Sequence, residues 1–87
     1  MPNVMLENNA AKELGDLPKP IKSRMAELLA RLSDWPNVSG AKALSGKLAG
    51  HYRLRTGDYR LQFRVEPGQV VVERIGHRDG FYDEGET

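Results

Sequence analysis

The stretch His51-Tyr52-Arg53-Leu54-Arg55-Thr56-Gly57-Asp58-Tyr59-Arg60-Leu61-Gln62-Phe63-Arg64-Val65 decides the fold. Apolar and polar residues alternate on both sides of Thr56-Gly57-Asp58. A period of two belongs to a strand, whose successive side chains point to opposite faces. Thr56-Gly57-Asp58 has the composition of a tight turn. The segment therefore predicts an antiparallel hairpin with strands over 51–55 and 59–65. Tyr52, Leu54, Tyr59, Leu61, Phe63 and Val65 share the inward face. His51, Arg53, Arg55, Arg60, Gln62 and Arg64 share the outward one. One face suits a core, and the other presents guanidinium groups to an anion.

Downstream, Glu66-Pro67-Gly68-Gln69 reads as a second turn with Pro-Gly at its centre. The β-branched run over 70–75 predicts a central strand buried on both faces. It delivers Gly76-His77-Arg78 to its C-terminal end. Upstream, residues 37–50 contain three glycines and read as an irregular connection with a helical turn at 41–44. Before it, Ile21, Met25, Leu28, Leu29 and Leu32 form one apolar stripe at helical spacing. Pro18-Lys19-Pro20 opens that helix and Trp35-Pro36 ends it. A shorter helix, Ala10-Ala11-Lys12-Glu13-Leu14, has Asn9 as its expected N-cap, with Gly15-Asp16 weakening its end before Leu17. Val4-Met5-Leu6 reads as a first strand. The order is β-α-α-β-β-β. It predicts an α+β fold in which an N-terminal strand and a helical hairpin pack on a small twisted antiparallel sheet.

A length of 87 residues makes a single domain over 1–87 with a modest core. Without cysteine there is no disulfide, no thiolate chemistry and no Cys-based zinc site. Two histidines without motif spacing argue against a metal, and no cofactor is expected. No apolar run has the length of a membrane span, and the N-terminus lacks a basic-then-apolar signal pattern. The expectation is a cytoplasmic protein. The net charge of +1 conceals a strong asymmetry. Residues 42–78 hold eight basic and three acidic side chains, whereas 79–87 hold four acidic and no basic ones. An anionic partner would be drawn to the middle block. The acidic tail over 83–87 is expected to be flexible.

Lys42-Ala43-Leu44-Ser45-Gly46, Tyr52-Arg53-Leu54-Arg55, Gly57-Asp58-Tyr59-Arg60-Leu61 and Gly76-His77-Arg78 followed by Tyr82 together resemble the RelE/ParE superfamily of type II toxins. The likeness runs from the first helix to Tyr82. It implies a toxin of a type II toxin–antitoxin system: a metal-independent, ribosome-dependent mRNA endoribonuclease that blocks translation. It also implies a cognate antitoxin that holds the toxin in a hetero-oligomer, with mRNA and the ribosome as the other partners. By position, Arg53 and Arg55 match the basic pair of the family's second strand, and Arg60 the arginine of its Gly-x-Tyr-Arg turn. Arg78 matches the basic residue after the last long strand. Tyr82 matches the tyrosine that stacks near the cleaved nucleotide. His77 sits where some members carry a histidine with a proposed acid/base role.

RNA is cut without metal when its own 2′-OH attacks the adjacent phosphorus and expels the 5′-oxygen, leaving a 2′,3′-cyclic phosphate. A base, a stabiliser of negative charge and an acid all assist. Arg60 and Arg78, with Arg53 or Arg55, suit charge stabilisation, because guanidinium is planar, permanently charged and bidentate to phosphate. They are poor bases, and some family members have lysine where this chain has Arg53 and Arg55. The proton is then sought at His77, His51 or Tyr82, with His77 preferred for its near-neutral titration. Alternatively, orientation on the ribosome replaces a strong base. Tyr82 stacks on a base in this reading, with Phe81 beside it as the buried member of the pair. Lys42, Lys47, His51 and Arg55 supply RNA contacts. Plainer roles compete: outward arginines also solvate a sheet face, and His51 is also an ordinary surface strand residue. Two other functions share the scaffold, a ParE-like inhibitor of DNA gyrase without nuclease activity and a degenerate module that only binds antitoxin.

Overall fold

The structure is a computed structural model that describes residues 1–81. Its elements are β1 (Asn3–Leu6), α1 (Asn8–Gly15), α2 (Lys19–Arg31), β2 (Lys42–Ala43), β3 (His51–Thr56), β4 (Tyr59–Glu66) and β5 (Gln69–His77). Short 3-10 turns occur at Leu32–Asp34, Gly46–Leu48 and Arg78–Phe81. The strands form one five-stranded sheet in the order β1-β5-β4-β3-β2. Both helices cover one face, and the core lies beneath them. Met25, Leu28 and Leu32 meet Leu54, Leu61, Phe63, Val70, Val72 and Ile75 there. Trp35 closes the edge of this core with edge-on contacts to Tyr52 and Phe63. No helix among the described residues is long and apolar enough to cross a membrane.

The α+β architecture and its two helices agree with the sequence expectation, but the sheet is mixed rather than purely antiparallel. β1 runs parallel to β5, with Val4 opposite Val70 and Leu6 opposite Val72. A Val-rich strand has two hydrogen-bonding edges to satisfy, and β4 takes only one of them. The expected helical turn over 41–44 is instead strand β2, with Lys42 opposite Arg53 and Ala43 opposite Tyr52. The open edge of β3 offers those backbone groups partners that an isolated helical turn lacks.

The first helix begins earlier than its sequence suggests. Glu7, in extended conformation, is the N-cap residue, and Asn9 lies inside the helix. The Glu7 N–H is still tied to the Val72 carbonyl at 2.9 Å, so the sheet sets the point at which the chain turns away. Beyond that point α1 continues the pairing of β5 with side chains. Asn9 Nδ2 donates to the Glu73 carbonyl (3.4 Å), and Glu13 Oε1 accepts the Ile75 N–H (2.8 Å).

Those contacts flank the main irregularity of the sheet. Gln62 is opposite Arg74 while Phe63 is opposite Val72, so Glu73 is an inserted residue, a β-bulge. The bulge changes the phase of β5. Val70, Val71, Val72 and Ile75 are buried as expected, but Glu73 and Arg74 are only partly so. Val65 has the inward register, opposite the fully buried Val70, yet is 38% exposed.

Candidate functional site

The sheet face away from the helices carries the cations in rows. Lys42, Arg53, Gln62 and Arg74 are directly opposite one another across β2, β3, β4 and β5. The next row is Arg55, Arg60 and Gly76. Directly opposite residues share a face, so this register alone places five cations side by side. A cleft of about 270 Å³ opens on them, lined by Gly40, Lys42, Arg53, Leu54, Arg55 and Arg60. None of the described residues lining it is acidic. Arg60 Nη1 donates to the Gly57 carbonyl at 3.0 Å, which steadies its guanidinium over the β3–β4 turn. Opposed like charges such as Arg55 and Arg60 destabilise a sheet, and an anion between them reverses the sign.

The floor of this region is built rather than open. Arg53 is only 7% exposed. Its guanidinium carbon lies 5.3 Å from the centre of the Phe81 ring, and that of Arg74 lies 4.3 Å from it. Arg74 Nη2 also donates to the Gly80 carbonyl. The 3-10 turn Arg78–Phe81 is thereby folded back onto the cationic face, with Phe81 buried.

A second cluster occupies the opposite end of the same face and ties its basic groups to carboxylates. His51 Nδ1 lies 2.7 Å from Glu73 Oε1, and Gln62 Nε2 donates to the same oxygen at 3.1 Å. Arg64 Nη1 bridges Glu73 Oε2 (3.0 Å) and Glu7 Oε2 (2.7 Å), while its Nε donates to Glu66 Oε2 (2.8 Å). Burial, the largest single influence on Glu73, pushes its carboxyl up. The hydrogen bonds from His51, Gln62 and Arg64, with the charge of His51, outweigh burial and hold it below the usual carboxylate range. Arg64, then Gln69, hold Glu66 low in the same way. The carboxylates of Glu7, Glu66 and Glu73 raise Arg64 in turn.

A depressed carboxyl stabilises the fold fully above its unfolded value near pH 4.3, and the contribution is lost as pH falls through the lower folded value. Glu73→Gln is therefore expected to lower stability at pH 7 and to flatten the loss of stability between pH 5 and pH 3. Urea midpoints measured at both ends of that range check this; a variant with the wild-type acid limb would remove Glu73 from the account.

The register brings together Lys42, Arg53, Arg55 and Arg60. Arg78 joins the same end of the sheet: its N–H donates to the Asp58 carbonyl at 2.7 Å, within the turn that Arg60 caps. Its Nε lies 3.8 Å from Asp79 Oδ1. His77 is opposite Tyr59, on the helix-bearing side of the sheet, and sets its ring edge-on to that tyrosine. Its Nδ1 accepts the Asp79 N–H (3.2 Å). His77 thus does not share the cleft. His51 belongs to the Glu73 cluster, and Lys47 is exposed in the turn Gly46–Leu48. Tyr82 and the acidic tail over 83–87 lie outside the described residues.

Sequence reading missed Arg74 and gave Phe81 only as the buried neighbour of Tyr82, which its burial matches. The signal for Arg74 was present, since Glu73-Arg74 interrupts a run of β-branched residues. Two consecutive charges in a buried strand are what a bulge accommodates.

Residues 4–80 match the family described as the ParE toxin of the type II toxin–antitoxin system parDE. Toxin RelG of Mycobacterium tuberculosis is 35% identical over 82 residues, covering 91% of this chain and 93% of RelG. Toxin RelE3 of Methanocaldococcus jannaschii is 25% identical over 83 residues, covering 92% of this chain and 94% of RelE3. A chain in the crystal structure of the toxin–antitoxin complex RelBE2 from Mycobacterium tuberculosis superposes with a TM-score of 0.77 at 33% identity, covering 90% of this chain and 100% of that one. With nearly its whole length matched in sequence and fold, this chain belongs to the RelE/ParE superfamily and is the toxin of a type II toxin–antitoxin system.

Proposed function

We propose that the protein is a ribosome-dependent mRNA endoribonuclease and that the cationic cleft is where the scissile phosphate sits. The observation that carries this reading is the meeting of Lys42, Arg53, Arg55 and Arg60 on one cleft with no described carboxylate in its lining. The 2′-OH of the RNA attacks the neighbouring phosphorus. The P–O5′ bond breaks, the proton released by the 2′-OH passes through solvent to the 5′-oxygen, and the products are a 2′,3′-cyclic phosphate and a 5′-hydroxyl. Negative charge grows on the phosphoryl oxygens, where Arg53 and Arg60, with Arg78 at the same end of the sheet, stabilise it. Lys42 and Arg55 hold the flanking phosphates. Tyr82 stacks on a neighbouring base. With His77 facing the helix-bearing side, orientation of the RNA on the ribosome supplies the acceleration that a strong base would otherwise provide.

A cognate antitoxin is the protein partner, by similarity to the RelBE2 complex. The match to the ParE description favours one rival, inhibition of DNA gyrase by binding. Primer extension on translated mRNA after induction of the protein separates the two. Cuts within codons are expected; their absence, together with inhibited supercoiling by purified gyrase, would establish the rival.

A further inference from the structure

The cleft is small enough to hold only a short piece of an RNA strand, so the strand must leave it on either side of the bound phosphate. Along the sheet face, the way out runs toward Glu7, Glu66 and Glu73, whose carboxylates disfavour a phosphodiester backbone. Across the β3–β4 turn, it runs toward Arg24 of α2. Met25 and Leu28 are buried against the sheet, which leaves Arg24 exposed on the flank of the helix. Its Nη1 lies 3.9 Å from the point that a side chain on Gly57 would occupy. Arg60 Nη1 donates to the Gly57 carbonyl of the same turn at 3.0 Å. With standard residue dimensions, the two guanidinium groups are within about 10 Å of each other. That is about one Debye length at roughly 0.1 M salt, so their potentials overlap.

We propose that the RNA strand leaves the cleft across the β3–β4 turn and lays a phosphate flanking the scissile one on Arg24. The proposal rests on the nuclease reading for the identity of the anion. No hydrogen bond or ion pair among the described residues engages Arg24, including with Glu27 one turn along the helix. A guanidinium takes two phosphate oxygens at once, so the contact sets the direction of the strand as well as adding charge. Two carboxylates lie nearby. Asp79 already faces His77 at 3.4 Å and Arg78 at 3.8 Å. Asp58 is exposed in the turn itself, so removing its charge should act in the opposite direction to removing that of Arg24.

The test uses the full-length protein and ribosomes programmed with mRNA that carries a 2′-O-methyl group at the cleavage position. That group blocks the attack, so binding is measured without reaction. Arg24→Ala should weaken binding about fivefold and reduce the slope of log affinity against log salt by about 0.7, the increment for one contact to a single strand. Alanine is the best helix former, so the fold should be unaffected at this exposed position. Asp58→Asn suits the turn equally well and should tighten binding about twofold. Lys12→Ala removes the same charge from the exposed side of α1 and should change binding less than about twofold. With cleavable mRNA, Arg24→Ala should raise KM about fivefold and leave kcat within about twofold, because the flanking contact is the same in ground and transition states. Replacing single flanking phosphates by uncharged methylphosphonates then locates the contact. At one position the replacement should cost the wild type about fivefold and Arg24→Ala nothing further.

Equal binding by wild type and Arg24→Ala overturns the route. So does a loss that Lys12→Ala shares in full, because it would reflect net charge alone. Methylphosphonates that cost both proteins equally at every position overturn it too, since no phosphate would then depend on Arg24. If the wild type leaves translated mRNA uncut, the nuclease reading itself fails. If it cuts while Arg24→Ala binds like the wild type, only the route of the strand fails.

Discussion

Arg60→Ala is expected to lower mRNA cleavage about a hundredfold, the scale of removing one stabiliser of developing charge. Arg60 is braced by the Gly57 carbonyl and lines the cleft, so its charge is held in place before RNA enters. The same substitution should leave folding intact or slightly improved. Arg60 stands directly opposite Arg55, and opposed like charges cost a sheet a few tenths of a kcal/mol to about 1 kcal/mol. Falling activity with steady or rising stability separates a functional arginine from one that merely solvates the sheet. Arg78→Ala should show a comparable loss, because its backbone is tied to the same turn. Single-turnover cleavage and urea unfolding of each variant provide the two readouts. Wild-type rates in both variants would eliminate the cleft as the reaction site.

Phe63→Ala carries the largest expected cost to the fold. Phe63 is fully buried at the centre of β4. Its ring stacks on Tyr52 at 5.5 Å and meets Trp35 edge-on at 5.2 Å. Truncation removes the aromatic contacts and leaves a cavity in a small core, a cost of about 3–5 kcal/mol. Domains of this size have about 5–15 kcal/mol in total, so the variant should be close to unfolding at 37 °C. The denaturant midpoint should fall sharply with an unchanged slope. A loss below about 1 kcal/mol would mean that the helices do not close over β4 as tightly as the packing shows.

The two variants act on opposite faces of one strand, and that separation is how the molecule combines a core with a charged site. Leu61 and Phe63 are buried under the helices, while Arg60 lies in the cleft and Gln62 joins the Glu73 cluster on the other face. The cationic face is itself divided. At one end Glu7, Glu66 and Glu73 engage Arg64 and His51, and at the other the cleft lining carries no described carboxylate. Arg64 would have ranked with the others on charge alone. Glu66 is its neighbour on the same face of β4, but Glu7 and Glu73 come from the end of β1 and from the bulge, which no local pattern in β4 reveals.

Much of this was legible in the residues. The 51–65 hairpin announces itself because alternation is a local property of a strand, and α2 because its stripe repeats at helical spacing within one segment. The clustering of Arg53, Arg55 and Arg60 follows directly, since a two-strand register joined by a tight turn leaves little freedom.

Tertiary structure alone decided three things: that β1 runs parallel beside β5, that Lys42–Ala43 pairs with β3, and that Glu73 is a bulge. The physical reason is common to all three. A strand edge accepts any chain that presents hydrogen-bonding groups at the right distance, so the choice of partner is made by distant segments competing for it. A bulge has no phase until its neighbour's register exists. With that bulge came the outward turn of Arg74, the seat of Phe81 against Arg53, and the assignment of His77 to the side away from the cleft.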